Sequence, residues 1–596
     1  MTSRTGIAAN PSQPTAPDMA APARPPRVWP AVLLLGSFWT VYAVVRWTEM
    51  GLSLGFMGFL ILLSIEALVT LLFIVWWMFA SHVGLGERLL VLGTAVVATI
   101  AAVFLSDKTV APFLLAPGWP LVLTAGTLAL LVVRKWRARG LVLVSVLALS
   151  CGALTLIRGE GMAGDGQLAL RWRWSLTPEQ LYVAAQGPSA EPAVVPLAEA
   201  ALSLQPGDWP AFRGPNRDGN VRGVHIATDW DATPPKRLWR RRIGPAWSSM
   251  AVVGNRLFTQ EQLGEREAVV CLDAGTGKTV WLHQDPARHE DVQSGAGPRA
   301  TPTFADGRVF ALGATGILNC LDAASGDRRW FRDLAADAQT KVPMWGFSSS
   351  PLVVGDLIVV FAGDSEKTLL AYHTDSGKPA WSAAAGRRSY SSPQLAPFGS
   401  ETLLLLVSDE GLFAVDPSTG VARWQHHTPA GNPGVPRAVQ PQAVRPSSIL
   451  FDAGPDLGTA RIDVAHTDQS WAPSERWVSR QLKPNFNDFV VHDNALYGFD
   501  TRVLTCIDIQ TGRRNWKEGR YGSGQVLLLG DQQLLVVVTD EGEVVLVAAN
   551  PREHQELGRF QAIQGKTWNH PAIAHDRLYL RNAEEIACYE LAPESR

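Results

Sequence analysis

The chain has 596 residues, 47% of them hydrophobic, with a formal net charge of −2, five cysteines and twelve histidines. That length exceeds one ordinary domain, and the near-neutral balance offers no basic surface for a nucleic acid partner. No two cysteines are close in sequence and the histidines are scattered, so the chain carries no metal-type cluster.

Residues 1–27 are rich in Pro, Ala, Ser and Thr and lack the apolar core and cleavage site of a signal peptide, so they read as a disordered cytoplasmic tail. Apolar stretches follow at about 28–47, 54–80, 86–106, 118–134 and 141–157, each near the ~20 residues that cross a bilayer. Five spans over 28–158 is the expected count, with four or six left open by the short, Pro-interrupted fourth. The basic run Arg134-Lys135-Trp136-Arg137-Ala138-Arg139 is expected on the cytoplasmic side, together with Arg24 and Arg27. Five spans then send everything after about residue 158 across a bacterial inner membrane, into the periplasm.

Residues 159–205 read as a linker, rich in Gly, Ala, Pro and Glu, with one short helix from Pro178 that Thr177 caps. The preceding Arg171-Trp172-Arg173-Trp174 suits either a membrane interface or a plain tether. From 206 to 596 the pattern changes. Asp, two residues, Ser or Thr, Gly, three residues and Trp recur as Asp273-Ala-Gly-Thr-Gly-Lys-Thr-Val-Trp281, Asp322 to Trp330, His373 to Trp381, Asp416 to Trp424 and Asp508 to Trp516. An apolar pair before the Asp runs a strand into the turn, the Asp and Ser/Thr oxygens accept from turn amides, and Gly supplies a positive φ. The Trp then offers a flat face that one hairpin cannot bury alone.

With weaker copies the docking marks are Trp239, Trp281, Trp330, Trp381, Trp424, Trp477, Trp516 and Phe560, spaced 39 to 53 residues apart. A second series restarts each unit at Ser249, Thr301, Ser350, Ser392, Gln440, Asp488, Gln525 and His570. Both predict an all-β propeller of eight four-stranded blades. The strand around Trp239 is expected to join the last strands in a mixed eighth blade, which leaves no open edge. The fifth unit, Val435 to Trp477, is irregular. Cys271, Cys320, Cys506 and Cys588 take matching places in four units and read as small core residues, not disulfide partners. Lys236 to Arg242 reads as a solvated edge strand or an anion site.

The restart residues ring one mouth of the axis, the best candidate pocket. Asp488 and His570 are the ring residues suited to proton transfer. Arg299, Trp345, Ser350, Asn487, Gln525, Trp568 and Asn569 are candidate ligand contacts. Against this, polar residues at blade starts commonly just satisfy backbone groups.

The repeat resembles the pyrroloquinoline-quinone (PQQ) repeat over about residues 206–592. Segments such as Asp208 to Gly219 and Lys566-Thr-Trp-Asn-His-Pro571 look like those of membrane-anchored PQQ-like repeat proteins. The resemblance implies either a non-catalytic scaffold like BamB, with a periplasmic protein partner and no cofactor, or a membrane quinoprotein dehydrogenase acting on sugars or alcohols and passing electrons to ubiquinone. Under the second reading Asp488 is the base, Trp345 or Trp568 stacks on PQQ, and Asn487, Asp488 and Asn569 are the oxygen grouping available to Ca²⁺. The propeller has little room for the long insertions that build such a pocket.

Overall fold

Long unbroken apolar runs make helices at the start of the chain, because only an internally hydrogen-bonded backbone suits surroundings without water. The computed structural model describes residues 26–48, 56–110, 118–133, 136–162, 168–186, 202–291, 293–428, 437–445, 447–467 and 470–594. Most of the expected tail, the middle of the linker, Arg134 and Lys135 of the basic run and the start of the fifth unit therefore lie outside the described residues. Two compact units form, residues 1–159 with 170–173 and residues 160–169 with 174–596.

Among the described residues the first unit has five helices: α1 (Trp29–Trp47), α2 (Phe56–Phe79), α3 (Leu85–Leu105), α4 (Gly118–Val132) and α5 (Trp136–Leu154). They fall on the five apolar stretches, but among the described residues only α1, α2 and α3 are long and apolar enough to cross a membrane. This corrects the expected five spans. At 1.5 Å per residue the 15 residues of α4 reach about 22 Å and the apolar part of α5, Arg139–Leu154, about 24 Å, short of a ~30 Å hydrocarbon core. Arg139 is described, and it is taken up structurally: its guanidinium donates two hydrogen bonds, 2.7 and 2.6 Å, to the Glu87 carboxylate on α3.

In the second unit helix α6 (Pro178–Gln186) precedes the propeller. Its start is a capping box, in which Thr177 Oγ1 accepts from the Gln180 N–H and Gln180 Oε1 accepts from the Thr177 N–H, each at 2.9 Å. Glu179 takes two bonds from Arg288, and Tyr182 is buried against Glu261 and Arg241, so α6 is docked on the first blade.

Eight blade sheets follow, each an antiparallel meander of four strands in chain order, except that blade 7 gains a fifth, parallel strand (Asn220–Val221) and blade 8 takes its fourth strand from early in the chain. Blade 1 runs from Ala251 to Asp285, blade 2 from Thr303 to Asp333, blade 3 from Leu352 to Ala383 and blade 4 from Gln394 to His427. Blade 5 runs from Gln442 to Ser479, blade 6 from Val490 to Arg520 and blade 7 from Gln525 to Gln561. Blade 8 joins Ala572–Ala574, Arg577–Arg581 and Glu585–Glu590 to the early strand Lys236–Arg242, with Trp239 opposite Cys588. The Lys236–Arg242 run is thus an edge strand; Arg240 pairs with Glu585, and Arg241 bonds the Gly277 carbonyl and the Tyr182 hydroxyl. A single buried core includes side chains of blades 7, 8 and 1, among them Val536, Leu578 and Leu257, which closes the circle.

The repeated signature is the joint between blades. Five of the docking Trp residues lie on the turn glycine of the next blade and donate their Nε1–H to a carbonyl there. The pairs run from Trp239 to Gly277 and Ala274 O (3.0 Å), Trp281 to Gly326 and Ala323 O (3.0 Å), and Trp330 to Gly377 and Thr374 O (3.0 Å). They continue with Trp381 to Gly420 and Pro417 O (3.2 Å) and Trp477 to Gly512 and Ile509 O (3.1 Å). A Cβ on any of these glycines would sit 2.5–2.7 Å from an indole carbon. Trp516 donates to Asn550 O at 2.9 Å. Blade 5 lacks the Asp/Gly turn, and Trp424 Nε1 is left without a partner. Its long outer hairpin substitutes another ring: Trp471, stacked on His466 at 3.7 Å, meets Phe398 of blade 4 edge-on. Phe560, at the blade 7 to 8 joint, packs between Trp230 and Tyr589.

Candidate functional site at the propeller axis

The backbone N–H just before an innermost strand is buried and needs a partner. The restart residues supply one, blade to blade. The Ser249 N–H donates to Thr301 Oγ1 (3.1 Å), Thr301 to Ser350 Oγ (3.0 Å) and Ser350 to Ser392 Oγ (2.9 Å). Ser392 donates to Gln440 Oε1 (2.5 Å) and Gln440 to Asp488 Oδ1 (2.7 Å). Gln525 Nε2 donates to Trp568 O, and Ser249 Oγ to His570 O, carrying the belt round. Ser350 and Gln525 are therefore structural members of this belt. So are Asn487, whose amide donates to Gly524 O, and Asn569, whose amide donates to Ser248 O and Ala246 O.

On one side of the belt the segment from Asp208 to Val221 crosses the innermost strands of the ring. Trp209 bridges Val252, Pro210 O accepts from Phe304, Gln394 and Gln442 donate to Arg217 O and Asp218 O, and Asn220–Val221 pairs in parallel with blade 7. This plug delivers two buried arginines that sequence reasoning did not single out. Arg217 donates to Pro351 O and Ser350 O. Arg213 donates to Phe489 O at 2.6 Å and lies 3.3 Å from Asp488 Oδ1. Both hold a positive φ, 61° and 55°, uncommon outside glycine. The signal in the sequence was two arginines inside a Pro/Gly-rich stretch, and it points to a turn rather than to the axis.

Asp488 and His570 are brought together, with Asp488 Oδ2 3.3 Å from His570 Nε2. Burial by itself would raise the Asp488 carboxyl, but the Arg213 guanidinium, His570 and the Gln440 N–H outweigh it and hold it below the usual carboxylate range. Burial lowers His570, more than Asp488 raises it, so the imidazole is neutral near pH 7. Burial, then the like charge of Arg213, push Arg217 down to about 9. A Ca²⁺ ion does not fit here. Both Asp488 oxygens are committed, a guanidinium lies beside them, and what Asn487 and Asn569 add is two neutral amide oxygens.

The residues just before the belt lie on its other side, where each innermost strand begins, and there the rings are partly exposed. Trp247 and Trp568 sit 5.1 Å apart, Phe486 lies 4.9 Å from Trp568, and Trp345 lies 5.1 Å from Tyr390. A small hairpin, Glu290–Asp291 with Gly295–Ala296, ties the two groups: Trp345 Nε1 donates to Gln293 Oε1 and Trp247 Nε1 to Ser294 O. Arg299 is spent on the same hairpin, bonding Asp291, Ser294 Oγ and Gly295 O. The unspent cation is Lys566. Its Nζ sits 4.9 and 4.2 Å from the Trp247 and Trp568 ring centres, and among the described residues it has no hydrogen-bond or ion-pair partner. Burial pushes its amine down to about 8, against the pull of Asp291. Among the described residues no three His, Cys, Asp or Glu side chains gather as metal ligands would.

Fold and axis together define a class, an eight-bladed propeller built on PQQ-like repeats. A family model described as outer membrane protein assembly factor BamB matches residues 265–518. A tetrathionate hydrolase from Acidithiobacillus ferrooxidans is 25% identical over 229 residues, which cover 35% of this chain and 42% of that protein, so the match spans less than half of the curated relative. Among solved structures the chain is similar to BamB from Moraxella catarrhalis, at 16% identity and TM-score 0.45 over 60% of this chain and 99% of that one. It is also similar to a quinohemoprotein alcohol dehydrogenase from Comamonas testosteroni, at 12% identity and TM-score 0.48 over 67% and 82%.

Proposed function

We propose that the propeller is a non-catalytic binding module, tethered to a bacterial inner membrane by its apolar helices and held on the periplasmic side, that takes a ligand or protein partner at the aromatic mouth. The observation that carries this reading is the engagement of Asp488. A general base must be free to reach a substrate proton, and here one carboxylate oxygen accepts from Gln440 beside Arg213 while the other faces His570. The mouth is the opposite case, with partly exposed indoles around a lysine that has no hydrogen-bond or ion-pair partner among the described residues, which suits a flat or anionic ligand. That chemistry also favours one rival, a dehydrogenase holding PQQ against Trp345 or Trp568. Tetrathionate, the anion named in one relative's activity, is a second probe of the mouth.

The test mixes the purified full chain with PQQ and Ca²⁺ and follows dye reduction by sugars and alcohols. No dye reduction is expected, with tryptophan fluorescence reporting whichever anion binds and Lys566→Met weakening it. Dye reduction that Asp488→Asn abolishes overturns the reading.

A further inference from the structure

Helix α2 carries one ionisable side chain among its 24 residues, the carboxylic acid Glu66, eleventh along it. At 1.5 Å per residue that is about 15 Å from one end and 20 Å from the other, the middle of a bilayer if α2 crosses one. The second described acid of these helices, Glu87, is held by Arg139. Among the described residues Glu66 has no such partner. It is 6% exposed, and its Oε1 is buried with nothing to accept from. An ionisable group at that depth is costly and points to function unless it is paired.

Glu66 borders a cavity of about 630 Å³ whose lining is otherwise almost wholly apolar, including Leu63, Trp77, Ala95 and Trp119. The volume is that of a small-molecule site. A second unsatisfied polar atom lies in the same lining, the hydroxyl of Thr99. Helical threonines normally return that hydroxyl to a carbonyl one turn back, as Thr94, Thr124 and Thr127 do in this bundle. Thr99 does not. The lining also includes Leu71, Val96 and Ile100, each more than half exposed, so the cavity is open to the surroundings of the helices.

We infer that this cavity is a binding site for a lipid-soluble alcohol drawn from the bilayer. A hydroxyl carries what each of these atoms lacks, an O–H that Glu66 Oε1 can accept and an oxygen that can accept from Thr99 Oγ1, and the apolar body fills the rest. A plain acyl chain would leave both atoms unsatisfied.

The test places the full chain in lipid nanodiscs with a photoreactive long-chain alcohol and, separately, its methyl ether, which cannot donate. The alcohol is expected to label peptides of α2 and α3 at least ten-fold more than the ether, and Glu66→Leu and Thr99→Val each to cut alcohol labelling several-fold. The alcohol-to-ether comparison needs no variant, so a poorly folding Glu66→Leu does not blunt it. Equal labelling by the two probes means filling by bulk lipid only and overturns the inference, as does alcohol labelling that Glu66→Leu leaves unchanged.

Discussion

Gly326 and Gly307 both lie in turns of blade 2 with a positive φ, 80° and 70°. They differ in what a side chain would meet. A Cβ at Gly307 meets nothing within 4 Å, whereas one at Gly326 would come 2.6 Å from two carbons of the Trp281 indole, which is buried and bonded to Ala323 O. Gly→Ala at either site carries the backbone cost of a left-handed alanine, about 1–2 kcal/mol. At Gly326 it also forces the blade 1 to 2 joint apart, about 1–3 kcal/mol for overpacking a tight contact. With an unfolding entropy of about 2.1 cal/mol/K per residue, a propeller of about 390 residues melting as one unit loses roughly 1.2 °C per kcal/mol. Thermal melts of the full chain should therefore place Gly326→Ala about 1–4 °C below Gly307→Ala. Equal midpoints, or the reverse order, would refute the claim that indole-on-glycine contact joins the blades.

Trp330→Phe loses the bond to Thr374 O and should cost about 1 kcal/mol more than Trp424→Phe, whose indole N–H has no partner to lose; the two melts check it. Asp488→Ala leaves Arg213 buried without its carboxylate and should destabilise the propeller by about 3–5 kcal/mol in denaturant unfolding. Lys566 sheds its proton near pH 8 when folded and near 10.5 when unfolded, so between those values the unfolded chain binds more protons. Stability should thus gain an increment as pH rises through that window, one that Lys566→Met removes from a pH series of melts.

The blade joints were legible because each signature residue answers a local demand: Gly for a positive φ, Asp and Thr for turn amides, Trp for a neighbour's face. Phe560, which lacks that signature, was placed by spacing. The restart series was legible in position but not in role. A Ser or Gln at a strand start looks the same whether it faces a ligand or the next blade's N–H, and only the three-dimensional ring decides. Arg213 and Arg217 were not legible as axis residues, because their partners Phe489, Asp488 and Ser350 lie more than 130 residues away along the chain. Lys566 escaped for the same reason, since its isolation depends on Trp247 arriving from the opposite end of the propeller. The span count failed on length, as the fourth and fifth apolar runs include flanking residues that do not extend an apolar helix.

Closure of the ring rests on Trp239 standing opposite Cys588, which places the early strand in the last blade. Trp239→Cys puts two thiols at facing positions of an antiparallel pair, within reach of a disulfide. Under mild oxidation of the folded full chain, the account predicts a faster-migrating, reductant-sensitive species on a denaturing gel, absent when Cys588→Ser is added. Folded protein in which residues 239 and 588 never cross-link would contradict the closed eight-bladed circle.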